Sequence, residues 1–338
     1  MPIFELHIIV KAARGVRAYL KLEAGVTRRE LAELRARLAG GGARARLASS
    51  VDANTEADGI RPENIVWMFG FGRSGSTWLS SMMGDIKGHA LWGEPWVGTL
   101  FGSFYDRSVN ERRHRAPHFI MGPHKEVWLG SIRNFVLDGA NALFPWLGED
   151  GYLVIKEPNG SVGAPLMMEA LPESRMILLV RDPRDVVASY ADARKEGGWN
   201  YERNKIRYLE GRRVPADKNP LAFAEERAKR YLRGIGKAKE AYDAHQGYKV
   251  LVKYEDLRAD TLGEMKRIYS TLEVRVSEEE LARVVEKHSW ENIPEDKKGE
   301  GKFYRKATPG GWREDLTPEQ AEVVEEITAP LLKEFYVY

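Results

Sequence analysis

The chain has 338 residues, 43% of them hydrophobic and 30% charged, enough for one large or two ordinary domains around a sizeable core. Lys and Arg number 52 against 50 Asp and Glu, a formal net charge of +2, so bulk attraction to nucleic acid is excluded and anion binding must come from local clusters. Cysteine is absent, which excludes disulfides, a thiolate nucleophile and Cys-ligated zinc; the seven histidines form no H-E-x-x-H motif, and no metal is expected.

No apolar run approaches the roughly 20 residues that span a bilayer. The first residues, MPIFELHIIVKAARGVRAYL, mix acid and base around a short apolar stretch, unlike a secretory leader, so a soluble, cytoplasmic protein is expected. Residues 1–62 read as a basic extension and linker. The first 50 hold ten Lys and Arg against four Glu. Ile3 to Val10 reads as a strand, and Thr27–Glu30 as a capping box opening a helix that Gly40–Gly42 stop. This region is either a solvated appendage or a contact for an anionic surface.

From residue 63 to 338 the pattern is one α/β domain. Ile65–Phe69, Tyr152–Ile155, Met176–Val180 and Val250–Val252 are continuous apolar runs, each a buried strand, and Trp78–Met83 and a long charged stretch over 220–245 read as helices. Such strands alternating with helices predict a three-layer sandwich: a central parallel sheet covered by helices on both faces. The aromatic, Gly/Pro-rich stretch 92–150 and the polar stretch 195–220 read as lids over the carboxyl ends of the strands.

Three clusters carry chemistry. Gly70-Phe71-Gly72-Arg73-Ser74-Gly75-Ser76-Thr77 follows the first strand and fits three templates: a dinucleotide G-x-G-x-x-G, a P-loop in which Ser76 replaces the lysine, and a phosphosulfate loop R-S-G-S-T-W. All three use one physical device, backbone N–H groups converging on an anion at a helix start. Later strands end in Lys156 and Arg181, cations where a nucleotide hydrolase usually has a carboxylate for magnesium. In the second cluster, Arg181 and Ser189 stand eight residues apart in RDPRDVVAS, spaced to hold a second phosphate or to form an ordinary Arg–Asp surface pair. The third, Arg305-Lys306-Ala307-Thr308-Pro309-Gly310-Gly311-Trp312-Arg313, is a basic glycine loop.

Taken in register, these motifs resemble the sulfotransferases that use 3′-phosphoadenosine 5′-phosphosulfate (PAPS), over roughly residues 64–338. R-K-A-T-P-G-G-W-R is similar to the family's R-K-G-x-x-G-D-W-K, and Lys253-Tyr254-Glu255-Asp256-Leu257 to its Y-E-D-L segment. The resemblance implies the P-loop-like sulfotransferase fold and transfer of a sulfuryl group by in-line displacement, leaving 3′-phosphoadenosine 5′-phosphate (PAP). It implies that Arg73, Ser74, Gly75, Ser76 and Thr77 wrap the 5′-phosphosulfate and that Trp78 stacks on adenine. Arg181, Ser189, Arg305, Lys306 and the Ala307 backbone would bind the 3′-phosphate, with Ser289 and Trp290 near the base. Trp78 and Trp290 also suit ordinary core positions.

Cytosolic members use a histidine in a K-T-H-type segment, where this chain reads Lys156-Glu157-Pro158. The tyrosylprotein-type branch fits better: Gly93-Glu94-Pro95 follows Arg73 at its spacing. The resemblance therefore assigns Glu94 as general base, with Arg73 and Lys156 stabilising charge on the transferred group. Trp92 and Trp96 are expected to enclose Glu94 in an apolar pocket. Glu157, His118 and His124 are the other candidate bases. The acceptor is expected to be a small molecule bearing a hydroxyl (a phenol, carbohydrate or lipid). At the family's short dimer motif stand Arg313, Thr317, Pro318 and Glu322, with Arg313 in place of its Lys and Pro318 in place of its Val, which leaves the oligomeric state open. Competing readings are a P-loop phosphotransferase, a dinucleotide oxidoreductase and a silent PAPS-binding module.

Overall fold

The structure, a computed structural model, describes residues 59–102, 105, 124–148 and 150–336. The expected strand at residues 3–10, the helix opening at Thr27 and His118 lie outside those residues. Ile60 is buried in the core, and its backbone N–H donates to Asn141 Oδ1 at 2.9 Å.

In chain order, β1 (Ile65–Phe69) is followed by α1 (Ser76–Gly84), β2 (His89–Gly93), α2 (Lys125–Leu143), β3 (Tyr152–Lys156) and α3 (Ala164–Ala170). Next come β4 (Arg175–Val180), α4 (Pro183–Arg194), α5 (Trp199–Arg203), α6 (Lys205–Leu209), α7 (Pro220–Ala244) and β5 (Lys249–Lys253). The chain then runs through α8 (Tyr254–Ala259), α9 (Thr261–Thr271), α10 (Glu278–Lys287), α11 (Trp312–Asp315) and α12 (Pro318–Phe335). The five strands are all parallel, in the order β2-β3-β1-β4-β5.

The sheet separates two apolar layers, as the continuous strands predict. On one face Ile65, Trp67, Phe69 and Leu178 pack against Val136 of α2, Ile235 of α7 and Leu331 of α12. On the other, Val66, Met68, Ile177 and Val250 meet Leu79 and Met82 of α1, Ile268 of α9 and Leu281 of α10. Alternate residues of β1 thus serve opposite layers, and every one is buried. Trp67 and Phe69, two apart, stack at 5.5 Å; emptying the Trp67 site would cost roughly 3–5 kcal/mol.

The described part of the stretch 92–150 is more regular than a lid. It holds the end of the edge strand β2 and the 19-residue α2. Residues Ile132, Val136 and Ala140 form the narrow buried stripe of α2, at helical spacing but too thin to dominate the aromatic and glycine content around it. The stretch 195–220 also contains the two five-residue helices α5 and α6. Because all five strands run the same way, the loops after β1, β2, β3 and β4 and the start of α8 gather at the carboxyl end of the sheet.

Candidate active site

The 70–75 loop leaves β1 and turns into α1. Gly75, at the helix start, has φ +87°, and a Cβ there would lie 2.5 Å from the Tyr254 ring, so only glycine fits. No side chain caps α1, leaving the first-turn N–H groups open to an anion. The Ser74 hydroxyl is fully buried with no hydrogen-bond partner.

Beside this helix start opens a cleft of about 110 Å³. Eleven of the thirteen residues expected to bind nucleotide line it: Arg73, Gly75, Ser76, Thr77, Trp78, Arg181, Ser189, Trp290, Arg305, Lys306 and Ala307. Ser74 is buried behind the loop, and Ser289 sits in the turn after α10, its N–H donating to Glu286 O. Sequence reasoning missed further lining from Tyr254, Arg258, His288, Ile293, Phe303 and Tyr304. A signal existed only for Tyr254, which directly follows a strand in the Y-E-D-L segment. The lining carries five cationic side chains (Arg73, Arg181, Arg258, Arg305, Lys306) and no carboxylate. Such a lining can hold an anion with an aromatic body.

The walls are fixed by specific contacts. Arg181 leaves the end of β4, stacks on the Tyr254 ring at 4.3 Å and donates to the Arg73 carbonyl at 3.0 Å; its Nε is buried without a partner. Trp78 donates its indole N–H to His288 O at 2.8 Å and takes the Arg258 guanidinium over its ring at 5.3 Å. Trp290 lies under the Lys298 ammonium at 5.2 Å. Arg305 pairs with Asp315 at 2.8 Å, and Lys306 with Glu314 and Asp315 at 2.9 and 3.0 Å, so acids outside the cleft hold both cations. Ala307 has φ +52°, a left-handed position, and its carbonyl accepts from Arg258 Nε at 3.1 Å.

The expected catalytic residues fall into two places. The β2–β3 register sets Gly93 opposite Lys156, so Glu94 leaves its strand beside the lysine. Lys156 Nζ donates to Glu94 Oε1 at 2.8 Å and to Thr77 Oγ1 at 3.3 Å, which ties the pair to the first turn of α1. Asn159 Nδ2 donates to the other Glu94 oxygen at 2.8 Å. Arg73 is elsewhere: its Nε donates to Ser189 Oγ at 3.0 Å and its Nη2 to Phe303 O at 2.7 Å, with Phe303 and Trp199 rings at 4.8 and 5.5 Å. Burial of this guanidinium, with Arg181 and Arg305 near, brings it down to about 10, still a cation at neutral pH.

The apolar enclosure expected around Glu94 is absent. Its side chain is 35% exposed and Trp96 is 54% exposed, because the strand end turns the Glu94–Trp96 segment outward, while Trp92 packs edge-on against Phe144. The sequestered carboxyl is Glu157, at 1% exposure, pushed up to about 7 chiefly by burial. His124 is exposed at the start of α2, 3.6 Å from Glu126. Among the described residues no group of three or more His, Asp or Glu could hold a metal ion. His114 and His118, spaced i and i+4, lie outside those residues. No helix among the described residues is long and apolar enough to cross a membrane.

Comparison with known structures and families agrees on the class. A mouse sulfotransferase crystallised with PAP superposes with a TM-score of 0.51 at 16% identity, covering 83% of this chain and 89% of that one. A sulfotransferase from Mycobacterium avium gives 0.51 at 16% identity over 87% and 81%. The fold is therefore the α/β fold of sulfotransferases. Residues 164–336, just over half of the chain, match the Sulfotransferase domain model, and the chain belongs to that family. An amine sulfotransferase of Oryctolagus cuniculus is 26% identical over 184 residues, 48% of this chain and 56% of that protein. The chain thus matches little more than half the length of that relative. The family match begins after β3, so the 70–78 loop, Glu94 and Lys156 stand on their own residues and geometry.

Proposed function

We propose that this protein is a PAPS-dependent sulfotransferase that moves a sulfuryl group to the hydroxyl of a small molecule. One observation carries the reading: the cleft after β1 joins an uncapped helix start, five cations without a carboxylate, and aromatic walls. These groups suit a nucleotide with phosphate at both ends. The Arg181 Nε, without a partner in the cleft wall, fits such a ligand as well.

PAPS supplies an activated sulfuryl group. The acceptor oxygen forms the new S–O bond, the bond from sulfur to the bridging oxygen breaks, and PAP leaves with that oxygen's charge. The transition state is loose and anionic, by analogy with phosphoryl transfer, so the protein's work is to orient, neutralise charge and take a proton. Glu94, joined through Lys156 to Thr77 of the cleft wall, accepts the acceptor's proton. Lys156, between Thr77 and Glu94, stabilises the sulfuryl oxygens and the leaving charge. Arg181, Ser189, Arg305, Lys306 and Arg73 bind the 3′-phosphate end; the Arg73–Ser189 bond favours this role for Arg73 over one at the sulfuryl group. Ser76 stands where a P-loop phosphotransferase has its lysine, which favours sulfuryl over ATP chemistry.

A reducing, cytoplasmic location and a phenol, carbohydrate or lipid acceptor belong to the same proposal. The test is transfer of labelled sulfate from PAPS to a panel of one phenol, one sugar and one sterol, with Glu94→Ala as control. Turnover in that variant should fall roughly 10²- to 10⁴-fold with PAP affinity nearly intact. Near-normal turnover would remove Glu94 from its role.

A further inference from the structure

We infer that Glu157 is a positioning residue for the reaction: its buried carboxylate clamps the turn Glu94–Pro95–Trp96 by its backbone and so fixes where the base stands. The inference rests on the assignment of Glu94 as base. Both residues flanking Pro95 are left-handed, Glu94 at φ +55° and Trp96 at φ +63°. Side chains disfavour that region, and such conformations persist only where the surroundings over-determine them.

Two anchors hold this turn. The Glu94 N–H donates to the Lys156 carbonyl at 2.8 Å, which continues the β2–β3 ladder by one bond. The Trp96 N–H donates to Glu157 Oε2 at 3.0 Å, and the Val97 N–H also bonds this carboxylate. Glu157 is itself fastened to the sheet: its N–H donates to Met68 O of β1 at 2.9 Å, and its carbonyl accepts from Gly160 N at 3.2 Å and Ser161 Oγ at 3.3 Å. A line of short bonds therefore runs from β1 through Glu157 to the turn that carries Glu94.

Glu157 is sealed from the cleft and does not line it, so it acts through Glu94 instead of taking a proton from the acceptor. The charged groups facing it are Glu94, which raises its proton affinity, and Lys156, which lowers it. Glutamine is an imperfect substitute: both carboxylate oxygens can only accept from the Trp96 and Val97 N–H groups, whereas an amide offers one acceptor oxygen and an NH₂ that donates. The fit is close: a Cβ on Gly160 would lie 2.1 Å from Glu157 Oε1.

The test is a double-mutant cycle of Glu157→Gln and Glu94→Ala, read as PAP release from PAPS with the best acceptor of the panel, beside PAP affinity by calorimetry. Displacing a base by about 1 Å can cost 10²-fold, so Glu157→Gln should lower kcat roughly 10- to 100-fold with PAP affinity within about twofold of wild type. In the Glu94→Ala background the same change should cost nothing further. Full turnover in Glu157→Gln beside an impaired Glu94→Ala, or a penalty that persists without Glu94, overturns the inference alone. An active Glu94→Ala overturns the base assignment and this inference with it. Should Glu157→Gln fail to fold, Gly160→Ala pushes the carboxylate aside with its charge intact; it should show the same selective loss of kcat, and wild-type turnover would overturn the clamp.

Discussion

Asp185 accepts the backbone N–H of Gly310 at 2.7 Å, joining α4 to a loop 125 positions later. Its second oxygen accepts from Trp312 N at 2.9 Å, and the Trp312 ring lies under the Arg184 guanidinium at 4.2 Å. Arg181 and Ser189 belong to the helix side of this joint, and Arg305 to Ala307 to the loop side. The joint brings the two halves of the proposed 3′-phosphate site together.

Asp185 is completely buried and has Arg181 at 3.8 Å. Asp185→Asn keeps the shape but replaces one acceptor by a donor, leaving a backbone N–H and a guanidinium uncompensated. Breaking such a buried network costs about 3 kcal/mol. Urea unfolding should show that loss, and calorimetry a PAP affinity reduced by at least about tenfold. Unchanged stability would mean the joint is not what holds the loop.

Ala307 occupies a left-handed position that the related motif gives to glycine. Holding an L-residue there costs about 1 kcal/mol, and Ala307→Gly removes that cost while keeping the carbonyl that accepts from Arg258. Part of the gain is offset by the freer unfolded chain. Thermal unfolding should show a variant at least as stable as wild type, with PAP affinity within about twofold; a lower midpoint would contradict the strain.

The sheet was legible where strands are buried on both faces, because Ile65–Phe69 and Met176–Val180 read as unbroken apolar runs whatever their neighbours do. β2 was not, since HALWG is five residues long with a histidine and a terminal glycine and gains its strand character only from pairing with β3. The first two clusters of the cleft were legible because each follows a strand of the parallel sheet, whereas Arg305–Arg313 follows no strand and was legible only through its resemblance to the family's motif. Asp185 was hidden for the opposite reason: an acid in the first turn of a helix looks like ordinary dipole complement, and only tertiary contact makes it a joint. The same holds for Arg73, whose place in the loop fixes its backbone but not where a long side chain reaches.

Glu157 gives a pH signature in stability. Its folded value, about 7, lies above its ordinary 4.5, mainly through burial. A raised acid favours the protonated fold, so its stabilising contribution is complete below about pH 4.5 and is lost as pH rises through about 7. The stability of wild type relative to Glu157→Gln should therefore fall by an amount of order 3 kcal/mol between pH 4.5 and 8. Urea unfolding of both proteins across that range checks it; a difference that rises with pH would reverse the sign.

Arg73 tests the division of labour in the cleft. With its guanidinium on Ser189 and Phe303, Arg73→Ala should weaken PAP by roughly 10- to 100-fold, the worth of one or two charge-assisted hydrogen bonds. At saturating donor, kcat should fall less than it does in Glu94→Ala. Steady-state kinetics with calorimetry separates the two effects; intact PAP affinity with lost kcat would return Arg73 to the sulfuryl group.

The most direct measurement compares PAP with adenosine 5′-phosphate in calorimetric titrations of the wild-type protein and of Arg181→Ala. If the cleft reads phosphate at both ends of the nucleotide, PAP binds at least about 10²-fold tighter than the nucleotide lacking the 3′-phosphate, and Arg181→Ala removes most of that difference. Equal affinities for the two nucleotides in the wild-type protein would contradict the account at its centre.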